Sequence, residues 1–307
     1  MNIITHLDYI PKMKHPIALT IGVYDGVHLG HQSLFKELHR YTRKEGSSVV
    51  LTFSNHPTTL LNSAYPLPLI TLLDHRLLLL QSLGFDLAIV LPFDQALANL
   101  SYKHFIRMLH RRLPFDQLVL GFDARFGKDR AGDPFAIREL GKSFRFHTQY
   151  LPQVNYHKYP ISSDRIRSCL ERGDLKRVKK MLGRPYSICV PFKTPIQESI
   201  VQHQLELHLE GICALPSAVY AVDIGKIPAI AFYRSMRDVG GRTKVSITLY
   251  FEQPLPTTNY LTLNFISYLH DELDSELTTE SYLVETLKLQ PTLHFSPDLQ
   301  ALTKGGG

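Results

Sequence analysis

The stretch "ALTIGVYDGVHLGHQSLFKEL", residues 18–38, decides the fold class of the N-terminal half of the chain. It starts as an apolar, strand-like run, and from Ser33 onward its apolar residues recur with helical spacing. Gly22, Gly26 and Gly30 lie between these two patterns. Glycines let the backbone turn sharply and approach a ligand closely. The stretch therefore predicts a strand, a glycine-containing loop and a helix N-terminus.

Two histidines, His28 and His31, lie close to this predicted helix N-terminus. The unpaired N–H groups of a helix N-terminus attract anions, and imidazoles donate hydrogen bonds to phosphate oxygens. Catalysis of phosphoryl or nucleotidyl transfer consists mainly of positioning and of stabilising charge on the phosphorus oxygens. The pattern thus indicates a phosphate site, although two incidental histidines among fifteen remain the alternative. The chain contains neither the P-loop pattern nor the G-x-G-x-x-G dinucleotide pattern.

The composition is that of an ordinary globular protein. The chain has 307 residues, of which 44% are hydrophobic, and this length suggests two domains. The net charge of +6 favours anionic partners such as nucleotides. The three cysteines are spaced for neither disulfides nor a zinc site, which favours a reducing cytoplasm. The N-terminal sixteen residues lack the apolar core of a signal peptide, and we expect no membrane-spanning segment.

The hydrophobic pattern changes once along the chain. Apolar runs at 17–23, 48–53, 87–93 and 117–122 alternate with helical stretches at 31–45, 74–83 and 101–112. Such alternation predicts a parallel sheet covered by helices, which a strand at 144–151 and helices at 164–172 and 174–182 complete. After about residue 185 the segments alternate with a period of two, as in antiparallel strands, and residues 265–290 have helical spacing.

Four motifs in the same order resemble those of the bacterial bifunctional riboflavin kinase/FAD synthetases. "IGVYDGVHLGHQ" (21–32) is similar to the signature of this family, which belongs to the H-x-G-H nucleotidyltransferases. "LTFSNHP" (51–57) is similar to its T-F-x-P-H-P motif, and "LGFDARFGKDRAGD" (120–133) to its V-G-x-D/N-F-x-F-G-x-x-x-x-G-D motif. "ISSDRIRSCLERGDLKRVKKMLGRPY" (161–186) is similar to the family's I-S-S-T-x-I-R motif and to the adjoining segment that ends in L-L-G-R-P-Y.

This resemblance implies an α/β fold with two domains. Residues 1–185 would form a Rossmann-like nucleotidyltransferase domain with a parallel sheet, and 186–307 a degenerate, riboflavin-kinase-like antiparallel β-barrel with a C-terminal helix. The implied activity is FMN adenylyltransferase, in which the FMN phosphate attacks the α-phosphorus of ATP and yields FAD and pyrophosphate. ATP, FMN and Mg²⁺ are the implied small-molecule partners.

The resemblance also implies roles for single residues. Catalysis is assigned to His28, His31 and Arg167. Nucleotide binding is assigned to Gly22, Tyr24, Asp25, Gly30, Asp123, Ser162 and Ser163. Flavin binding is assigned to Phe53, His56, Pro57, Arg125 and Phe126. No side chain is expected to be a metal ligand; Asp25 can equally be a turn or capping residue, and Phe126 a core residue.

Three residues of the N-terminal half depart from the family pattern. Asn55 replaces a proline and Ala124 an aromatic residue, and we expect both to loosen the flavin pocket. Asp164 replaces a threonine. Its carboxylate would repel a triphosphate unless it points away, caps the helix or meets the magnesium.

The C-terminal half keeps the frame of the kinase domain without its chemistry. "ALPSAVYAVDIG" (214–225) and "KVSITLYF" (244–251) resemble two of its strands, but the P-T-A-N motif for the ATP–magnesium complex is missing. Ser246 stands where the family has the glutamate that activates the riboflavin hydroxyl, and a serine is a far poorer base. We therefore expect weak or no kinase activity and a barrel that serves as a scaffold or partner surface.

Several alternatives stay open at this point. The kinase motif can be disguised by divergence, which would leave a full bifunctional enzyme. The chain can be a flavin- or nucleotide-binding protein without catalysis, or an adenylyltransferase with another acceptor. Residues 164–184 hold eight Lys or Arg and three Asp or Glu. We interpret them as solvated helix faces and expect no nucleic-acid partner, because no nucleic-acid-binding motif accompanies the charge.

Overall fold

The computed structural model describes residues 1–42, 45–61, 67–192, 204–238, 240–251, 255 and 258–271. The contacts between Cα atoms divide the chain into two compact units. The first unit comprises residues 1–67 and 75–163, and the second comprises 68–74 and the chain from 164 onward. The functional division at 185/186 is a different boundary, and it stays a prediction.

The first unit contains a six-stranded parallel sheet, as predicted. Its strands are β1 (Asn2–Ile4), β2 (Ile17–Ile21), β3 (Ser47–Phe53), β4 (Leu87–Leu91), β5 (Gln117–Gly121) and β6 (His147–Leu151). Their order is β1-β4-β3-β2-β5-β6, and every neighbouring pair is parallel. Every residue of β2, β3 and β4 is buried, as is typical of a parallel sheet covered on both faces.

Six helices and a short hairpin accompany this sheet. The helices are α1 (Leu29–Thr42), α2 (Pro57–Leu61), α3 (Leu73–Ser82), α4 (Gln95–Asn99), α5 (Tyr102–Arg112) and α6 (Pro134–Phe144), and the hairpin pairs β7 (Asn155–Tyr156) with β8 (Tyr159–Pro160).

The hydrophobic pattern did not reveal β1, α2, α4 or α6. The N-terminus of α6 carries a usable signal, since Asp133 caps it by accepting from the Ala136 N–H and Pro134 is its first residue. The predicted strand at 144–151 begins only at His147, because α6 extends to Phe144.

The strand order predicts a ligand-binding crevice next to β2. From β2 the chain proceeds to β3 and β4 on one side, and it then returns to β5 on the other side. Ligands of open α/β sheets bind at such a reversal, outside the carboxyl ends of the strands. The loops that follow β2 and β5 are the ones that carry the first and third family motifs.

The second unit is built around an antiparallel sheet, as predicted. Its strands are β9 (Tyr186–Pro191), β10 (Gln204–Glu210), β11 (Ala218–Ile224), β12 (Ile227–Arg237), β13 (Thr243–Phe251) and β14 (Tyr260–Asp271). They form a curled half-barrel in the order β10-β13-β12-β11-β14-β9. Two helices precede it in the sequence, α7 (Ser163–Glu171) and α8 (Leu175–Leu182). No helix within the described residues is long and apolar enough to cross a membrane.

One prediction is wrong in the second unit. Residues 265–271 were expected to be helical, but they form the end of β14 and pair with β11. The pairing shifts register twice, between Val219 and Tyr220 and between Ala221 and Val222. The alternation of inner and outer side chains nevertheless continues along β14, but apolar Ile266 and Tyr268 lie on its exposed face and Ser267 on its inner face, so the sequence does not show the period of two that marks a strand. The remainder of that stretch, and with it the expected C-terminal helix, lies outside the described residues.

Candidate active site

The loop after β2 is held in an unusual backbone conformation. It forms a single 3₁₀ turn, Asp25–Val27, in which Val27 has a φ of 43°. A β-branched residue is strained in this region, and such strain concentrates at functional sites. Val27 is fully buried, and the side-chain amide of Gln32 donates to its carbonyl at 2.8 Å. The loop is therefore fixed by the helix that comes after it.

Helix α1 begins earlier than predicted. Its first residue is Leu29, so Gly30 and His31 belong to the first helical turn and not to the loop. The expected start near Ser33 is wrong by one turn. The reason is that Leu29 and Gly30 precede the first visible apolar repeat, so the hydrophobic period does not report them. His31 is thereby attached to a regular helix, which orients its ring.

The rings of His28 and His31 stack on each other. Their centroids lie 3.6 Å apart with an interplanar angle of 17°. The backbone N–H of His31 donates to Nδ1 of His28 at 3.3 Å. Because Nδ1 is an acceptor in this bond, the hydrogen of a neutral His28 ring lies on Nε2. His28 is 6% exposed, so a ligand can reach only one edge of its ring.

The His31 ring is enclosed by aromatic groups. Its centroid lies 5.1 Å from that of Tyr24 in an edge-to-face arrangement and 6.4 Å from that of Phe35, with an interplanar angle of 26°. Burial lowers the pKa of His31 well below its ordinary value, and the charges of His28 and Arg76 lower it further. Among the described residues Nδ1 of His31 has no hydrogen-bond partner. A buried acceptor without a partner costs less than a buried N–H without one, so the hydrogen lies on Nε2 here too.

Gly30 and Gly22 make room for this arrangement. A Cβ atom on Gly30 would lie 3.0 Å from Cε1 of His28, which is closer than side chains normally approach. A Cβ atom on Gly22 would lie 2.7 Å from the Tyr24 ring. The Tyr24 hydroxyl is bonded to Oγ1 of Thr20 at 2.6 Å, and burial raises the pKa of Tyr24. Tyr24 is thus a neutral support of His31, and its assigned contact with the nucleotide stays a prediction.

The structure brings the start of the segment ISSDRIR (161–167) to this loop. The hydroxyl of Ser163 donates to the backbone carbonyl of Asp25 at 3.0 Å. Asp25 itself is 2% exposed, and Ser162 precedes Ser163 at the start of α7. Asp123 lies in the loop after β5, on the other side of the strand reversal, and it is exposed. These residues lie where the strand order predicts a ligand.

Arg167 belongs to the second unit, where it pairs with Asp164. The guanidinium contacts the Asp164 carboxylate at 2.6 Å, and Nε donates to the carbonyl of Pro68 at 2.8 Å. The Asp164 side chain is 88% exposed and that of Arg167 only 7%. Asp164 therefore lies against an arginine, which reduces the repulsion that was expected between its carboxylate and a triphosphate.

The residues assigned to the flavin fall into two groups. Phe53 and Phe126 are buried in the core of the first unit, where Phe53 meets Phe93 edge-on and Phe126 stacks on Phe105. The other three are not fully buried; they are His56, Pro57 and Arg125. Nδ1 of His56 accepts from the Thr58 N–H at the start of α2. A flavin contact at any of the five stays a prediction.

Asn55 joins the loop after β3 to the residues after β4, and its expected effect on the flavin pocket stays a prediction. Its side-chain amide donates to the carbonyl of Phe93 at 2.9 Å and accepts from the Phe93 N–H at 2.8 Å. This pair of bonds joins the end of β3 to the end of β4. The motif gave no sign of it, because the residue that replaces the proline has its partner 38 positions away.

One buried charge of the site was not assigned from the sequence. Arg76, in α3, is 1% exposed, and its Nη2 donates to the carbonyl of Phe53 at 2.5 Å. Burial lowers its pKa, whereas the charge of Asp25 raises it. The available signal was a cation inside the leucine-rich run "LITLLDHRLLLLQSLGF" (69–85), which predicts a buried helix.

The chain belongs to the FAD synthetase family. The model of that family matches residues 10–165, about half of the chain, which include the loop after β2, the loop after β5 and the two serines. The two stacked imidazoles, hereafter the His28–His31 pair, also lie within these matched residues.

Curated relatives agree with the family match. A protein of Buchnera aphidicola subsp. Schizaphis graminum is 30% identical over 229 residues, 73% of each chain, and one of Bacillus subtilis is 31% identical over 190 residues, 60% of this chain and 59% of the relative. Both are bifunctional riboflavin kinase/FMN adenylyltransferases. The crystal structure of a macrolide-efflux protein from Streptococcus pneumoniae shares the fold, with a TM-score of 0.72 at 23% identity, and covers 96% of this chain and 99% of that one.

The two hydrogen bonds between Asn55 and Phe93 can be tested by substitution of Asn55. Asn55→Ala removes both bonds and leaves the backbone N–H and carbonyl of Phe93 without these partners. We expect a loss of about 1–3 kcal/mol in the free energy of unfolding, measured by urea denaturation. Asn55→Asp is the matched control, since it keeps the acceptor and loses only the donor. If Asn55→Ala is as stable as the wild type, the two hydrogen bonds do not stabilise the fold.

Proposed function

We propose that the chain transfers the adenylyl group of ATP to FMN, with the His28–His31 pair as its catalytic group. The observation that carries the proposal is the stack of the two rings together with the hydrogen bond from the His31 N–H to Nδ1 of His28, from which we infer that both neutral rings carry their hydrogen on Nε2. Two N–H donors on stacked rings, in the loop and helix that follow a strand of a parallel sheet, are suited to neighbouring phosphate oxygens. The FAD synthetase family and the FMN adenylyltransferase relatives support the same reaction.

The proposed reaction is a direct displacement. An oxygen of the FMN phosphate forms a bond to the α-phosphorus of ATP, and the bond between this phosphorus and the bridging oxygen of the β-phosphate breaks. Pyrophosphate leaves with the electron pair. The two Nε2–H groups would hold oxygens of the leaving phosphates, where negative charge accumulates. Because both donors are already oriented, little reorganisation is needed in the transition state.

The remaining expectations for partners and location are part of this proposal. We propose that Mg²⁺ enters bound to the phosphates of ATP, the usual way in which this ion reaches nucleotide sites. Among the described residues, no group of three or more His, Cys, Asp or Glu side chains is placed to hold a metal ion. The small-molecule partners are ATP and FMN, with no nucleic acid, and the proposed location is the cytoplasm.

We propose that the second unit has lost the riboflavin kinase activity that the relatives' names include. Ser246, at the position expected for the catalytic glutamate, lies in β13 opposite His208 of β10 and Arg234 of β12. A serine hydroxyl cannot replace a carboxylate as a base at neutral pH. The sequence also lacks the P-T-A-N motif.

His31 provides the most direct test of the mechanism. His31→Ala removes one Nε2–H donor, and we expect FAD formation from FMN and ATP to fall about 10²-fold or more. His31→Gln keeps an N–H donor near the Nε2 position without a titratable ring, and we expect it to retain part of the activity. The measurement is chromatographic separation of the flavins, with release of pyrophosphate as a second readout.

The pH dependence distinguishes a neutral donor from a cationic one. Since the pKa of His31 is lowered, its ring is neutral at pH 6.5 and above, and its protonation at lower pH would add an N–H at the buried Nδ1. The wild type should keep its rate down to pH 6.5. An activity that rises as the pH falls through 6.5 would show that the imidazolium is the active form, and the mechanism would be wrong.

Gly30→Ala should change the position of the His28 ring without destabilising the fold, so it tests whether activity depends on the geometry of the His28–His31 pair. Alanine favours a helix over glycine by about 1 kcal/mol, so thermal unfolding should show little or no loss of stability. The new Cβ would press on Cε1 of His28, whose ring is held by the stack on His31. We expect FAD formation to fall about tenfold or more. A variant with wild-type turnover would show that the ring position is unimportant.

The loss of kinase activity is tested in the same chromatographic assay. Riboflavin and ATP should give no FMN, whereas FMN and ATP should give FAD. Ser246→Glu restores the expected carboxylate, and we expect it to leave the kinase inactive because the ATP–magnesium motif is missing as well. Formation of FMN by the wild type at ordinary enzyme rates would restore the bifunctional alternative.

A further inference from the structure

Arg76 is the buried charge of the site that the proposed mechanism leaves unexplained. It is 1% exposed, and among the described residues its Nε has no hydrogen-bond partner. Burying a guanidinium costs several kcal/mol unless its charge is compensated. Leucine or methionine would fill the same volume without the free-energy cost of burying a charge. The charge of Arg76 therefore calls for an explanation.

The contacts of Arg76 connect it to the loop that carries the catalytic pair. Its Nη2 donates to the carbonyl of Phe53, the last residue of β3. The preceding residue, Thr52, donates its hydroxyl hydrogen to the carbonyl of Val23, in the loop after β2. The N–H of Gly22, in the same loop, donates to the carbonyl of Leu51. The end of β3 is thus bonded to Arg76 on one side and to the loop of the His28–His31 pair on the other.

We propose that Arg76 is a positioning residue for adenylyl transfer, which fixes the carboxyl end of β3 and sets a permanent positive charge within electrostatic reach of the His28–His31 pair. This inference rests on the proposed function. The Tyr24 phenol and the His28 ring lie against His31, and the charge of Arg76 in α3 acts on it electrostatically; Asp25 in turn interacts with Arg76. The positive charge favours the neutral form of His31, whose Nε2–H is the proposed donor.

The proposal is tested by titrating the imidazoles of the ligand-free protein by NMR, with ¹³C-labelled histidine and with His31→Gln to assign the His31 signal. In Arg76→Met the neighbouring cation is lost, so protonation of His31 becomes easier and its midpoint should move to higher pH. Arg76→Lys keeps the charge and should leave the midpoint close to that of the wild type. A midpoint unchanged in Arg76→Met would overturn the proposal.

His39 supplies an internal control in the same spectra. It lies on the same helix as His31, burial lowers its pKa, and the charged group that acts on it is Asp86 and not Arg76. Its midpoint should be the same in all variants. Equal shifts of His39 and His31 would indicate a general loosening of the unit and would count against a role specific to the pair.

Activity provides the second readout. We expect kcat for FAD formation to fall about 10²-fold in Arg76→Met, and the acid limb of its pH profile to move to higher pH together with the His31 midpoint. If that variant does not fold, Arg76→Met combined with Asp25→Asn removes both charges and is titrated in its place. Absence of FAD synthesis in the wild type would refute the proposed function, whereas an unshifted His31 would refute only the role of Arg76.

Discussion

A single hydrogen bond, from the backbone N–H of His31 to Nδ1 of His28, constrains the orientation of the His28 ring over the first turn of α1. It uses one of the unpaired N–H groups of a helix N-terminus to orient a side chain, whereas such groups often bind the anion directly. The bond fixes which nitrogen of His28 carries hydrogen, and the ring stack transmits that orientation to His31. The hydrogen bond thus favours an Nε2–H donor on a neutral His28 ring, and burial favours the neutral form of His31.

This bond constrains the residues around it. The His28 ring can lie over the first helical turn only because position 30 has no Cβ. Between β2 and His28, the backbone adopts a strained conformation at Val27, whose φ is 43°. Burial of Val27 and the hydrogen bond from Gln32 to its carbonyl stabilise this conformation. Tyr24 fills the space that Gly22 leaves and limits the tilt of His31. Each conspicuous residue of the motif thus has a packing role that can be stated without a ligand.

Much of this fold can be predicted from hydrophobic pattern alone. The uninterrupted apolar runs of β2, β3 and β4 predict a sheet buried on both faces, and the segments of period two after residue 185 predict the antiparallel sheet. The short helices α2 and α4 were missed because one and a half turns cannot display a helical period. The end of β14 was assigned to a helix because its exposed face carries the apolar Ile266 and Tyr268 and its inner face carries Ser267, so the residue types do not alternate with the strand.

The polar residues in the loops of the candidate site could be predicted from the sequence, whereas the contacts of its buried residues could not. His28, His31 and the two serines carry a spacing that can be compared with a family, and the structure places Ser163 against the loop of the pair. The effects of Asn55, Asp164 and Arg76 depend instead on partners that spacing does not reveal. Phe93 and Phe53 contribute backbone atoms, which leave no trace in a sequence motif. Asp164 pairs with Arg167, three residues further along the same helix. Oppositely charged residues at this spacing are common on helices, so the pair does not indicate a function. Departures from a motif thus acquire a meaning only when the partner of each new side chain is known, as for Asn55, whose two hydrogen bonds to Phe93 join the ends of β3 and β4.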